Sequence, residues 1–377
     1  MADKKLGGAG LRGQSAGETK LCTVGKSGTG LTYCGYDITE LAAQASFEEV
    51  CWLLFHGELP SKSQLEAYQK KLKGLRQLPA PLKRCLEEIP ATTHPMDVLR
   101  TGCSMLGTLE PEESFKQQQN KADRLLGILP SILLYWYRYS HDVIRIDTET
   151  NEDSIAGHFL HLLHGKPPSK EHLRCMDVSL ILYAEHEFNA STFAARVCAS
   201  TLSDIYSCIT GAIGTLRGPL HGGANEAAME MIQKYSSPEE AIKSVNQMLE
   251  NKEKIMGFGH AIYSESDPRN AIIKQWSKAL SKNAKNSHLY DVSEAIESIM
   301  WDKKRLFANA DFFHASAYNF MAIPTKLFTP IFVCSRVSGW AAHVMEQRFN
   351  NRIIRPSADY TGAKVRAFLP QDKRENK

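Results

Sequence analysis

The chain has 377 residues, 43% of them hydrophobic and 23% charged, with a net charge of +3; the composition is that of a globular protein, and the length favours two subdomains or one elaborate domain over a single simple core. The basic residues are dispersed among acids with no aromatic-basic stripe, which argues against nucleic acid as a partner, and nine cysteines without a Cys-x-x-Cys pair argue against a zinc ribbon and a disulfide framework. The N-terminus has no apolar signal region, and the most apolar run, residues 128–137, contains Pro130 and is far shorter than the roughly 20 residues of a membrane span, so a cytoplasmic location and no membrane partner are expected.

Strand signals are confined to the start, where residues 21–24 and 31–33 flank Gly25-Lys26-Ser27-Gly28-Thr29-Gly30 and predict a small hairpin. Gly-Lys-Ser is not read as a phosphate loop, because such a loop needs a glycine five residues before Gly25 and Lys20 stands there. Thereafter the signals are helical. Ser46-Phe47-Glu48-Glu49 is a capping box ahead of residues 50–56, with Gly57 placed to stop the helix. Ser61-Lys62-Ser63-Gln64 starts a second helix with Leu65, Tyr68 and Leu72 on one face, and His94 precedes Pro95 at a third start, where it is placed to satisfy backbone ends, a role near a substrate being the alternative. Residues 128–137 read as a buried helix. His158, His161 and His164 share a helix face, but no cysteine or carboxylate stands at ligand spacing beside them, so they are not assigned to metal.

In the second half, Glu185-His186-Glu187 sets a histidine between acids, which would favour the imidazolium if the contacts are short. Leu202, Ile205, Ile209, Ile213 and Leu216 repeat at helical spacing and lead into Gly218, so the motif that follows should sit just beyond a helix C-terminus. Pro238 after Ser237 opens a helix whose apolar stripe is Ala241, Ile242, Val245, Met248 and Leu249. Residues 329–348 read as a long helix packed through Val333, Val337, Trp340 and Val344. Arg336 lies beside that stripe, either snorkelling to the surface or pointing into a cleft toward a carboxylate. Arg355 precedes Pro356 and is expected in extended backbone; the tail after Gln371 looks frayed.

Two motifs carry the chemistry. Gly218-Pro219-Leu220-His221-Gly222-Gly223 and Gly257-Phe258-Gly259-His260 each put a histidine in a bend whose glycines lack a Cβ, and Asp267-Pro268-Arg269 follows the second. With the carboxylate of Asp311, in Asn309-Ala310-Asp311-Phe312-Phe313, the two histidines look like an acid/base apparatus for carbon chemistry. A metal-dependent hydrolase with His221, His260 and Asp311 as ligands is the rival reading; the absence of a His-x-x-x-His or His-x-His pair and the Asp-Pro-Arg clamp argue against it.

These motifs, together with Leu31-Thr32-Tyr33-Cys34-Gly35-Tyr36-Asp37-Ile38, Gly57-Glu58-Leu59-Pro60 and His94-Pro95-Met96, resemble those of the citrate synthase family along nearly the whole chain. Many relatives carry arginine where Cys34 stands. Ala315-Ser316-Ala317-Tyr318 and the segments from Trp340 onward, including Ile353-Ile354-Arg355-Pro356, look more like the 2-methylcitrate synthase branch. The resemblance implies an all-α, two-domain homodimer with a small N-terminal β-hairpin. Its large domain would take residues 1–222 and 325–377, its small domain residues 223–324, and the two would close over oxaloacetate and an acyl-CoA. It implies that propionyl-CoA is preferred over acetyl-CoA, giving 2-methylcitrate, with citrate synthesis as the alternative and no cofactor beyond the thioester substrate. By the same resemblance, Asp311 is the base, His221 donates to the thioester oxygen, and His260 with Arg269 polarises the ketone of oxaloacetate. His186, Arg336 and Arg355, the last from across the dimer, hold its carboxylates. Lys254, Ile255, Met256, Gly257 and Phe258 present backbone groups to the CoA adenine.

Overall fold

The protein is described from a computed structural model covering residues 10, 11, 13–25 and 30–374. Strands Cys22–Val24 and Leu31–Tyr33 pair antiparallel with Cys22 opposite Tyr33, as the sequence predicts, and a third short strand, Tyr36–Asp37, extends the sheet. The turn at residues 26–29 lies outside the described residues. Among the described residues, everything after the sheet is helical or irregular apart from one isolated antiparallel bridge between Phe258 and Ala308. Ser46 and Ser61 both form complete capping boxes, on helices Phe47–His56 and Lys62–Lys73, and Gly57 ends the first of these at φ 80°. His94 caps Pro95–Leu109 by accepting the Met96 N–H at Nδ1. The apolar run around Pro130 is buried within Gln118–Asp142, and no helix among the described residues is long and apolar enough to cross a membrane.

At the centre runs Phe328–Phe349, buried along nearly its full length, with Val333, Val337, Trp340 and Val344 in the core. It packs against Phe47–His56, Gln118–Asp142, Lys170–Tyr183, Ala190–Ser200 and Ile205–Leu216. A second group of helices, Ala224–Ile232, Pro238–Glu250, Pro268–Ser281, His288–Lys304 and Ala310–Phe320, packs largely on itself. The face that this group presents to Lys170–Tyr183 and to Phe328–Phe349 is where the chemistry-bearing residues collect.

Three local expectations are corrected. Leu202 is not part of Ile205–Leu216: it sits exposed at φ 65°, and Asp204 caps the helix after it. Ile242 points to solvent from Pro238–Glu250, where Ala241 and Val245 carry the buried contact. The tail is not featureless, because Gln371–Lys373 closes a 3-10 turn. His158, His161 and His164 are absorbed by the helix Ile155–His164: His158 bonds Ser131 and Thr150, and His161 pairs with Glu152 at 3.0 Å.

Candidate active site

His221 lies in the turn between Ile205–Leu216 and Ala224–Ile232. The turn is tight enough that a Cβ on Gly222 would sit 2.3 Å from the Leu216 carbonyl oxygen, so only glycine fits there. The backbone N–H of Ser191 points at His221 Nε2 (3.2 Å), and Ser191 Oγ lies 2.9 Å from the same nitrogen. An amide can only donate, so Nε2 is a lone pair and the proton of neutral His221 resides on Nδ1. Burial, with Arg336 nearby, lowers its pKa to about 4, so the ring is a neutral donor at physiological pH. Ser191 is itself held by Asn189 and by the indole N–H of Trp340 (3.1 Å).

His260 shows the opposite tautomer. The amides of Ile262 and Tyr263 converge on its Nδ1 (3.1 and 3.3 Å), which leaves the proton of the neutral ring on Nε2. His186 lies edge-on to His260, with ring centroids 5.0 Å apart, and its Nε2 is 3.1 Å from Tyr263 Oη. The expectation of a charged His186 is overturned. Burial comes first, and Arg269, His260 and Arg336 add to it, holding the imidazole well below its usual pKa. Of the flanking acids, Glu185 pairs with buried His343 at 2.7 Å, and Glu187 adopts a left-handed backbone at φ 54°.

Asp267 caps Pro268–Ser281 and grips Arg269 through two bonds, Nε to Oδ1 at 2.9 Å and Nη2 to Oδ2 at 2.8 Å. Both are buried. Burial alone would neutralise the pair, but their mutual attraction outweighs it, pushing Asp267 below and Arg269 above their ordinary values. Asp267 Oδ2 also accepts the N–H of Ala310, so the clamp joins Arg269 to the start of Ala310–Phe320.

Asp311 stands in the first turn of that helix, capped by Asn309. Tyr183 Oη donates to Asp311 Oδ1 at 2.6 Å. Burial raises the Asp311 pKa above the usual value, against the hydrogen bond from Tyr183 and the charge of Arg269. Segments 257–259 and 307–309 are laced together: Gly259 N–H bonds the Phe307 carbonyl, Asn309 N–H bonds the Gly257 carbonyl, and Asn309 Nδ2 bonds the Gly259 carbonyl. Gly257 has φ 90°, and a Cβ there would meet Phe312 at 2.9 Å. Within residues 254–258, Lys254 is exposed and Ile255 buried.

Arg336 is 1% exposed, so it does not snorkel to the surface. Its Nε donates to the Tyr183 carbonyl at 2.5 Å and its guanidinium stacks 4.6 Å over Phe332. Among the described residues no hydrogen bond engages its terminal nitrogens, which keeps a planar fork for a carboxylate. Burial lowers its pKa despite the opposing charge of Glu185. His186, His260, Arg269 and Arg336 thus gather as two imidazoles and two guanidiniums, near Asp311 and His221. Arg355 does not join them: it lies exposed on the extended segment that follows Phe328–Phe349. Sequence reasoning did not single out Tyr183 or Ser191, whose only signals are polar side chains three before and five after His186.

Two buried guanidiniums, a nearby buried carboxylate and two histidines of fixed, opposite tautomer are the components of an acid/base centre. The family model described as "Citrate synthase, C-terminal domain" matches residues 10–357. The chain is 69% identical to the 2-methylcitrate synthase of Shewanella oneidensis, covering 98% of this chain and 99% of that protein. It is 45% identical to citrate synthase 2 of Bacillus subtilis, over 91% of this chain and 93% of that one. Among solved structures, citrate synthase of Thermoplasma acidophilum in ternary complex with carboxymethyl coenzyme A and oxaloacetate superposes with a TM-score of 0.90 at 30% identity, over 97% and 98% of the two chains. The chain belongs to the citrate synthase family.

Proposed function

We propose that the chain is a 2-methylcitrate-forming acyltransferase: it condenses an acyl-CoA, propionyl-CoA in preference to acetyl-CoA, with oxaloacetate and hydrolyses the product thioester. The observation that carries the reading is the end-to-end 69% identity with the Shewanella enzyme; the geometry is consistent with the following roles. Asp311 takes the α-proton of the thioester while His221 donates its Nδ1 proton toward the thioester oxygen, so that the charge of the enolate is shared. Neither step is feasible alone, since a thioester α-proton is far less acidic than any carboxylic acid, and each positioned acid or base contributes about 10² to 10⁴ in rate. The enol carbon then attacks the ketone carbon of oxaloacetate, whose oxygen is polarised by His260 Nε2–H and Arg269. Arg336 and His186 hold its carboxylates, joined by Arg355 from a second copy in a homodimer. His260 and Arg269 supply the proton that the developing alkoxide takes up, and water then cleaves the product thioester with release of CoA, so the scheme uses no resident cofactor.

In the same proposal, residues 254–258 meet the CoA adenine. Residues 223–324 form a small domain that closes on the large domain of residues 1–222 and 325–377 once oxaloacetate is bound, excluding water while the enol exists.

A thiol-release assay with oxaloacetate and a panel of acyl-CoAs tests the substrate. One extra methyl is worth only about 1 to 3 kcal/mol of discrimination, so kcat/KM should favour propionyl-CoA by a ratio with acetyl-CoA still turned over. A higher kcat/KM for acetyl-CoA would make citrate synthesis the better assignment, the reading favoured by the similarity to the Bacillus protein.

Tyr183→Phe removes the hydrogen bond that stabilises the Asp311 carboxylate, so the Asp311 pKa rises further and the acid limb of kcat moves to higher pH. A pH–rate profile identical to wild type would show that Tyr183 does not tune the base.

A further inference from the structure

We propose that His314 is a positioning residue for the base: its Nδ1–H grips the peptide unit that carries Asp311. The inference rests on the enolisation role of Asp311 given above.

His314 is fully buried on Ala310–Phe320, one turn beyond Ala310. Its Nδ1 lies 2.6 Å from the Ala310 carbonyl oxygen. A carbonyl only accepts, so Nδ1 carries the proton and Nε2 is left as a bare acceptor. That nitrogen is buried and has no hydrogen-bond partner among the described residues. On its other side the ring lies against Tyr183, with centroids 4.2 Å apart, and Tyr183 is the residue whose hydroxyl holds Asp311.

The orphaned nitrogen decides between two explanations. If His314 served only to pack against Tyr183, phenylalanine would fill the same space without stranding a buried acceptor. What imidazole adds is the bond to Ala310. With it, three successive backbone groups ahead of the Asp311 side chain are pinned from separate directions. The Ala310 N–H is held by Asp267 at 3.0 Å, the Ala310 carbonyl by His314, and the Asp311 N–H by Asn309 at 3.0 Å. A base that must meet a carbon-bound proton tolerates little positional error, which gives such bracing a purpose.

The experiment compares His314→Phe, His314→Asn and Asp311→Asn with wild type by kcat, oxaloacetate KM, Tm and exchange of the acyl-CoA α-hydrogens with deuterium oxide in the presence of a dicarboxylate that lacks the reactive ketone. His314→Phe is expected to melt at or above the wild-type temperature and to keep oxaloacetate KM within about twofold. It should lose about 10- to 100-fold in kcat and exchange. His314→Asn, which keeps a donor for the Ala310 carbonyl, should recover part of the rate at a lower Tm. Wild-type rates in His314→Phe overturn the inference, and so does a His314→Asn variant as impaired as His314→Phe, because the ring and not the bond would then matter. If His314→Phe does not fold, His314→Asn decides alone, a near-wild-type kcat supporting the bond and a loss of about tenfold or more overturning it. An active Asp311→Asn would instead remove the underlying base assignment.

Discussion

Asp311→Asn is expected to fold like wild type and to lose turnover by several orders of magnitude. The amide is isosteric, and its oxygen still accepts from Tyr183 Oη, so the local hydrogen bonding survives. What it cannot do is take a proton. The positioned base is worth about 3 to 5 kcal/mol of barrier, and the hydrogen bond from His221 cannot replace it because it acts on the other end of the same enolisation. Stability should not suffer: burial already disfavours the Asp311 carboxylate, so a neutral group in its place relieves that penalty. Thiol release at saturating substrates, with a thermal melt beside it, measures both halves. Turnover near wild type would exclude Asp311 as the base.

Arg336→Met should separate binding from folding. In the ligand-free protein Arg336 is a buried cation near Arg269, with a pKa that burial depresses, so the fold gains little from its charge. The methionine keeps much of the packing against Phe332, and Tm should change by only a few degrees. Oxaloacetate should feel the loss fully, because a carboxylate placed among His186, His260 and Arg269 would lack its planar partner. Removing one side of such a buried pair costs about 2 to 5 kcal/mol, roughly 30-fold to several thousand-fold in affinity. The rise in Tm that saturating oxaloacetate gives the wild type should therefore shrink or vanish, while CoA binding changes much less. Equal losses for both ligands, measured by calorimetric titration, would count against the carboxylate role.

Local rules were readable from the residues wherever one short segment settles its own structure. Ser46 with Glu49 and Ser61 with Gln64 specify helix starts from four residues each, and His94 before Pro95 does the same. Where the outcome depended on what lay opposite, the sequence misled. Leu202 continues an apolar spacing that its own left-handed backbone breaks, and Ile242 belongs to a stripe whose far edge finds no neighbour. His186 is the instructive case. Its flanking acids suggested an imidazolium, yet besides burial the groups that lower its pKa are His260, Arg269 and Arg336, from positions 74 to 150 residues away, a distance no local pattern reports. His221, His260, Arg269 and Asp311 were readable because each sits in a motif whose backbone is constrained by glycine, proline or a cap, whereas His186 and Arg336 are brought to them only by packing. Even a following proline does not bring Arg355 to them, and it remains apart, in a segment that makes few contacts within its own chain.

The lacing of residues 257–259 to 307–309 makes two stretches fifty residues apart a single lever. Between its arms there is no slack: a carbonyl on each side and the Asn309 side chain tie them, and Phe312 packs beneath Gly257. Any ligand that shifts the glycine-bounded arm must carry Asn309, and with it the carboxylate two residues on, through the same displacement. Were residues 254–258 to meet the CoA adenine as proposed, recognition at one end of a long thioester would reach the reactive end through this tie.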